Sequence, residues 1–123
     1  MKFESLNVNF LGELSNEQTL KIISNSRAVV TATKLLEGQP TLLCEASAYG
    51  VPSIFPKTGG ISEFFPNNYK LSFNQFDYDD LLSKLKLLSD ENFLKDIGNN
   101  NKKFISSYLN KDLIQNKFEK FMI

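Results

Sequence analysis

Three consecutive segments decide the fold: Ala28-Val29-Val30-Thr31-Ala32-Thr33, then Glu37-Gly38-Gln39-Pro40-Thr41-Leu42-Leu43-Cys44-Glu45-Ala46, then Gly50-Val51-Pro52-Ser53-Ile54-Phe55. The first is a β-branched run with little polar alternation, the pattern of a strand covered on both faces. A loop from Lys34 to Gln39 leads into a helix from about Pro40 to Tyr49, with the proline suited to the first helical position. Gly50 supplies the helix stop and Pro52 prevents continuation. Pro52-Ser53-Ile54-Phe55 reads as the next strand. Strand, helix and strand in that order predict a parallel pair crossed by a helix.

Working outward, Val8-Asn9-Phe10-Leu11 is a short strand candidate closed by Gly12. Ser15 with Gln18 forms a capping-box pattern. It opens a helix from about Asn16 to Ser26 that buries Leu20 and Ile23, with Ile22 at its margin. After Phe55, Lys57-Thr58-Gly59-Gly60 leads to a short helix near Ile61 to Phe65. Pro66-Asn67-Asn68 then turns the chain into a strand at Lys70 to Phe73. From Asp77 the pattern is helical: Leu81, Leu85 and Leu88 recur at helical spacing, as do Phe93, Ile97 and Phe104. A last helix carries Leu113, Ile114, Phe118 and Phe121. The alternation predicts an α/β fold with a mostly parallel sheet, in one domain over 1–123.

Composition narrows the chemistry. Fourteen basic residues balance fourteen acidic ones, so no global field favours nucleic acid or an anionic membrane. There is no histidine and a single cysteine, which removes the commonest general base and the commonest zinc ligand. One cysteine excludes an internal disulfide and fits a reducing compartment. Met1-Lys2-Phe3-Glu4 opens no apolar run of the secretory kind, and no stretch approaches the about 18 apolar residues of a membrane span. A soluble, cytoplasmic domain with no metal and no cofactor is expected. Its chemistry rests on carboxylates, backbone amides, hydroxyls and lysine or arginine.

In a parallel α/β sheet, ligands bind beyond the carboxyl ends of the strands. With Pro40 at the first helical position, the amides of Thr41 and Leu42 point outward with the positive end of the helix dipole, a ready phosphate or diphosphate site. Gly38 lets the loop backbone approach a ligand closely. Glu37 would sit beside the bound group and accept hydrogen bonds from sugar hydroxyls. Glu45 shares its helix face with Leu42, Ala48 and Tyr49, an odd setting for a solvating glutamate, although a helical glutamate is commonly only a surface charge. Two carboxylates flanking a helix start suit a ligand with hydroxyls at its ends and phosphates between them. Gly59-Gly60 is either a turn or part of that site. Lys57 and Thr58 are either solvated or phosphate contacts. Cys44 reads as a packing residue. Asp77, Asp79 and Asp80 resemble a metal cluster but read better as a helix cap with first-turn acids.

The segment from Val8 to Phe73 resembles the C-terminal, donor-binding half of retaining GT-B glycosyltransferases of the group 1 (family 4) type. The matching elements come in the family's order. They are Phe10-Leu11-Gly12 ending a strand, Val29 to Thr33, the Glu-x7-Glu segment from Glu37 to Glu45, Ala46-x-Ala48-x-Gly50-x-Pro52, and Gly59-Gly60-Ile61-Ser62-Glu63. The resemblance implies a Rossmann-like parallel sheet with helices on both faces and a helical C-terminus. It makes Glu37 the catalytic contact to the donor sugar's hydroxyls and Glu45 the acceptor of ribose hydrogen bonds. Gly38, Gln39, Pro40, Thr41, Leu42 and Leu43 would present the loop and helix start to the sugar and diphosphate, with Gly59 and Gly60 shaping the pocket. It further implies a nucleoside diphosphate sugar as substrate and no divalent metal. Gln39 departs from the aromatic or aliphatic residue common there, and the turn Asn67-Asn68-Tyr69 is short and lacks its glycine.

The family also has an acceptor-binding N-terminal domain, and its donor half opens with two further βα units. On the resemblance this chain starts near the third strand of that half. The expected function is the donor-binding part of an enzyme that transfers a hexose-like sugar to a glycan or lipid-linked acceptor, inactive alone. The alternative is a non-catalytic remnant that serves as a binding or oligomerisation module. The Val8 to Leu11 strand would then pair with the Ala28 to Thr33 strand, pair with another chain, or detach. Expected partners are the nucleotide-sugar donor, an N-terminal GT-B half on a separate chain, and a second copy across an exposed sheet edge.

Overall fold

Three parallel strands form the sheet, in the order β1 (Val29–Val30), β2 (Ser53–Pro56), β3 (Ser72–Phe73). The computed structural model describes residues 9–31, 41–58 and 60–109. Register is set by Val29 opposite Ser53 and Val30 opposite Ile54, and by Phe55 opposite Ser72 and Pro56 opposite Phe73. Each strand of the sheet runs the same way because a helix-bearing crossover separates it from the next.

The helices are α1 (Asn16–Ser24), α2 (Thr41–Ala48), α3 (Tyr78–Lys86) and α4 (Glu91–Leu109). Short 3-10 turns lie at Ile61–Phe64 and Leu87–Ser89. Their ends are written locally in the sequence. Ser15 Oγ accepts from the Gln18 N–H at 3.1 Å, and Gln18 Oε1 accepts from the Ser15 N–H at 3.0 Å, which completes the capping box. Gly50, at φ 72°, ends α2 in a Schellman turn. Its N–H donates to Ser47 O, and the Val51 N–H donates to Ala46 O, both at 2.9 Å. Asp77 caps α3, accepting from the Asp80 N–H at 3.0 Å.

Alternate residues of the fully buried β2 face opposite layers, as a central strand requires. Ile54 packs with Leu71, Phe73, Leu94 and Ile97, joined by the leucine stripe Leu81, Leu85 and Leu88 of the helical tail. Phe55 packs with Leu43, Ile61 and Phe65 on the α2 side, where Ile23, Ala46 and Val51 add the contact with α1. This is the expected α/β arrangement with helices on both faces. Tyr69 ties the layers together. Its hydroxyl donates to Ser53 O at 2.6 Å and accepts from the Ser53 N–H at 3.2 Å and Asn101 Nδ2 at 3.1 Å. Its ring stacks on Phe55, centroids 5.2 Å apart. Burial pushes its phenol up to about 12.

Several expectations need correction. Asn9, Phe10 and Leu11 form no strand, and Phe10 is 80% exposed. The Ala28 to Thr33 run is not covered on both faces where it is described: Val30, on the sheet's edge, is 43% exposed. In α1, Ile23 is buried, Leu20 is half-buried and Ile22 is exposed. The Lys70 to Phe73 strand shortens to its last two residues. The final helix around Leu113 to Phe121 lies outside the described residues. The turn that lacks a glycine is closed by Asn68 at φ 59°, a conformation asparagine tolerates.

Candidate functional site

The carboxyl ends of the three strands lead into the loop before α2, the segment from Lys57 to Gly60, and the turn from Asn74 to Asp77. Because the strands are parallel, their carboxyl ends share one edge of the sheet. α2 begins at Thr41, so its first amides stand free of intrahelical partners at the end nearest that edge. Five consecutive residues of α2, Leu43 to Ser47, are buried. Leu43 and Ala46 belong to the core, and Cys44 is buried with its thiol pushed up to about 12 by burial and by the neighbouring Glu45. Cys44 is therefore a packing residue, held as the neutral thiol at ordinary pH.

Glu45 is the unusual member of that run. It is only 6% exposed, and its carboxylate has no hydrogen-bond or ion-pair partner among the described residues. Burial raises its pKa above the ordinary value of 4.5. The three residues expected to share its face, Leu42, Ala48 and Tyr49, are exposed, so Glu45 is recessed while its helical neighbours stand out. A carboxylate taken from water without compensation is costly unless a ligand supplies donors.

Of the other residues singled out in sequence, Thr41 and Leu42 form the first turn of α2, half-buried and exposed respectively. Glu37, Gly38, Gln39, Pro40 and Gly59 lie outside the described residues. Gly60 heads the 3-10 turn at φ −94°. Lys57 is exposed, and its N–H donates to Phe73 O at 2.8 Å. Asp80 is held below the usual carboxylate range by the Asn74 N–H first, then by Lys84, Ser83 and Lys57. Asp77 and Asp80 are thus engaged in capping and turn bonds. Among the described residues no group of three or more potential metal-ligating acids, cysteines or histidines comes together.

The family model for glycosyl transferases group 1 matches residues 4–104, most of the chain. This chain belongs to the group 1 glycosyltransferases. Comparison with curated proteins and with solved structures found no match in either set. The transferase's matched region spans the sheet, α1, α2 and α3, and α4 as far as Phe104. Among its described residues no helix is long and apolar enough to cross a membrane. Sequence reasoning missed Tyr69 and Asn101, whose polar contacts join β2 to α4. A tyrosine and an asparagine 32 positions apart carry no local signal of that bond.

Proposed function

We infer that this group 1 glycosyltransferase chain binds a nucleoside diphosphate sugar across the start of α2, as the donor-binding part of a retaining, family 4-type enzyme. The single observation that carries the reading is Glu45, buried, without a partner among the described residues and raised in pKa on the helix that begins at the carboxyl edge. Ribose hydroxyls would donate to it and replace the water it has lost. The free amides of the first turn would receive the diphosphate, with Gly38 to Leu43, Gly59 and Gly60 around the sugar. Glu37 would hold the sugar hydroxyls during transfer. In that reaction the acceptor oxygen bonds to the anomeric carbon as the bond from that carbon to the diphosphate oxygen breaks. The acceptor's proton passes to the leaving diphosphate. The transferred unit is hexose-like and the acceptor a glycan or lipid-linked sugar, in a cytoplasmic setting.

Calorimetric titration with uridine and guanosine diphosphates and their sugars tests this. Hydrogen bonds to a charged group contribute about 1.5–3 kcal/mol, so Glu45→Ala is expected to weaken nucleotide binding roughly 10- to 100-fold. An unchanged affinity in that variant would remove the ribose role. Absence of binding by the unaltered chain would remove the donor site from it.

A further inference from the structure

Ser47, Ser53 and Asn101 are each at most 1% exposed, and among the described residues Ser47 Oγ, Ser53 Oγ and Asn101 Oδ1 have no hydrogen-bond partner. Buried polar atoms are rarely left so, because each has given up the water it held in the unfolded chain. Ser24, Ser83 and Ser106, also in helices, each donate to a carbonyl three or four residues back. Ser47 makes no such bond. Nor can the Asn101 amide turn round to repair its own deficit. The one hydroxyl proton of Tyr69 goes to Ser53 O at 2.6 Å, so the hydroxyl takes a donor from Asn101, Nδ2 at 3.1 Å, and Oδ1 faces elsewhere.

The three atoms belong to one junction. Ser53 precedes Phe55 by two residues on β2, so its side chain points into the layer where Phe55 meets α2. The Tyr69 hydroxyl holds the backbone of Ser53 and the side chain of Asn101 together. α4 runs antiparallel along α2. It passes Gly50 at Gly98, where a Cβ would strike the Gly50 carbonyl oxygen. It comes within reach of Cys44 at Tyr108, whose phenol is raised by burial first, then by Glu63 and Cys44. Ser47 lies midway between Gly50 and Cys44, and Asn101 lies about one turn beyond Gly98. Ser47 also stands about 200° around α2 from Glu45, which separates this junction from the site at the carboxyl edge.

We propose that this junction binds one internal water molecule, held by Ser47 Oγ, Ser53 Oγ and Asn101 Oδ1. Water carries two protons and two lone pairs. It donates to Asn101 Oδ1, which can only accept, and to one serine oxygen, while it accepts from the other hydroxyl. That matches the about three hydrogen bonds a buried water typically makes. The three groups are neutral and supply no charge to offset the desolvation of an ion. The water joins α2, β2 and α4 where their side chains do not bond one another. The test is an atomic-resolution crystal structure of the full chain at room temperature, together with a double-mutant cycle in denaturant. One ordered water is expected within hydrogen-bond reach of all three atoms. Ser47→Ala and Ser53→Ala share that water, so their effects on the unfolding equilibrium constant should depart from additivity by at least about threefold. Ser53→Ala paired with Ser24→Ala, at the exposed end of α1, is the uncoupled control and should be additive. Additive effects of Ser47→Ala and Ser53→Ala, or a structure in which the three side chains bond one another with no water between them, would overturn the proposal.

Discussion

A buried carboxylate with no partner among the described residues works against the fold that contains it, and Glu45 makes that conflict measurable. Its pKa is raised by burial from 4.5, so over the interval above that value the folded chain holds a proton that the unfolded chain has released. Stability then falls as pH rises through the ordinary carboxyl range and levels off above the raised pKa. Glu45→Gln keeps the shape and removes the charge. It is expected to raise the melting temperature at pH 7 and to show no gain at a pH below 4, where both states are protonated. Thermal unfolding of the two proteins across that range checks it; a gain independent of pH would mean that charge is not the cause. A residue that destabilises the empty protein is consistent with one kept for a ligand. Cys44, its neighbour, is the contrasting case, because a small apolar thiol loses nothing by the same burial.

At the scale of the element, the sequence was most legible where the determinant is local. Ser15 with Gln18, Gly50, and Asp77 each sit within four residues of the groups they satisfy, and each caps as its sequence implies. Legibility failed where the determinant is distant. Asn9 to Leu11 carry strand-forming residues yet adopt no strand, and Phe76 takes a left-handed backbone that no glycine announces. The candidate site was half legible: the oddity of Glu45 showed in its helical spacing, its burial did not. The crossing of α4 over the end of α2 was hidden too, although glycine made it possible. A Cβ on Gly98 would collide with the Gly50 carbonyl oxygen and stand only 3.0 Å from its carbonyl carbon. Backbone cannot turn aside as a side chain can. Gly98→Ala is therefore expected to cost about 1–3 kcal/mol by overpacking. Gly50→Ala should cost about 1–2 kcal/mol from its positive φ. Denaturant unfolding reads both, and an unchanged midpoint for Gly98→Ala would mean that the helices do not cross this closely in solution.

At the scale of the whole molecule, the sheet is asymmetric. β2 is enclosed, and β1 is bonded to it through the Val29 N–H to Pro52 O at 2.9 Å and the Thr31 N–H to Ile54 O at 3.0 Å. The intervening Val30 directs its own N–H and carbonyl away from β2, and its side chain is 43% exposed. Among the described residues no strand pairs with that outer side. An edge unpaired among the described residues and carrying an apolar side chain is a template for another strand. A second copy presenting the same edge can meet it across a two-fold axis, which closes the assembly at two. The expectation is a dimer that forms with rising concentration, followed by light scattering or sedimentation. Val30→Lys places a charge on the edge without touching the β1–β2 ladder, and it should return the chain to monomer while leaving nucleotide binding at Glu45 intact. A strict monomer at high concentration, or a dimer indifferent to Val30→Lys, would show that association does not use this edge.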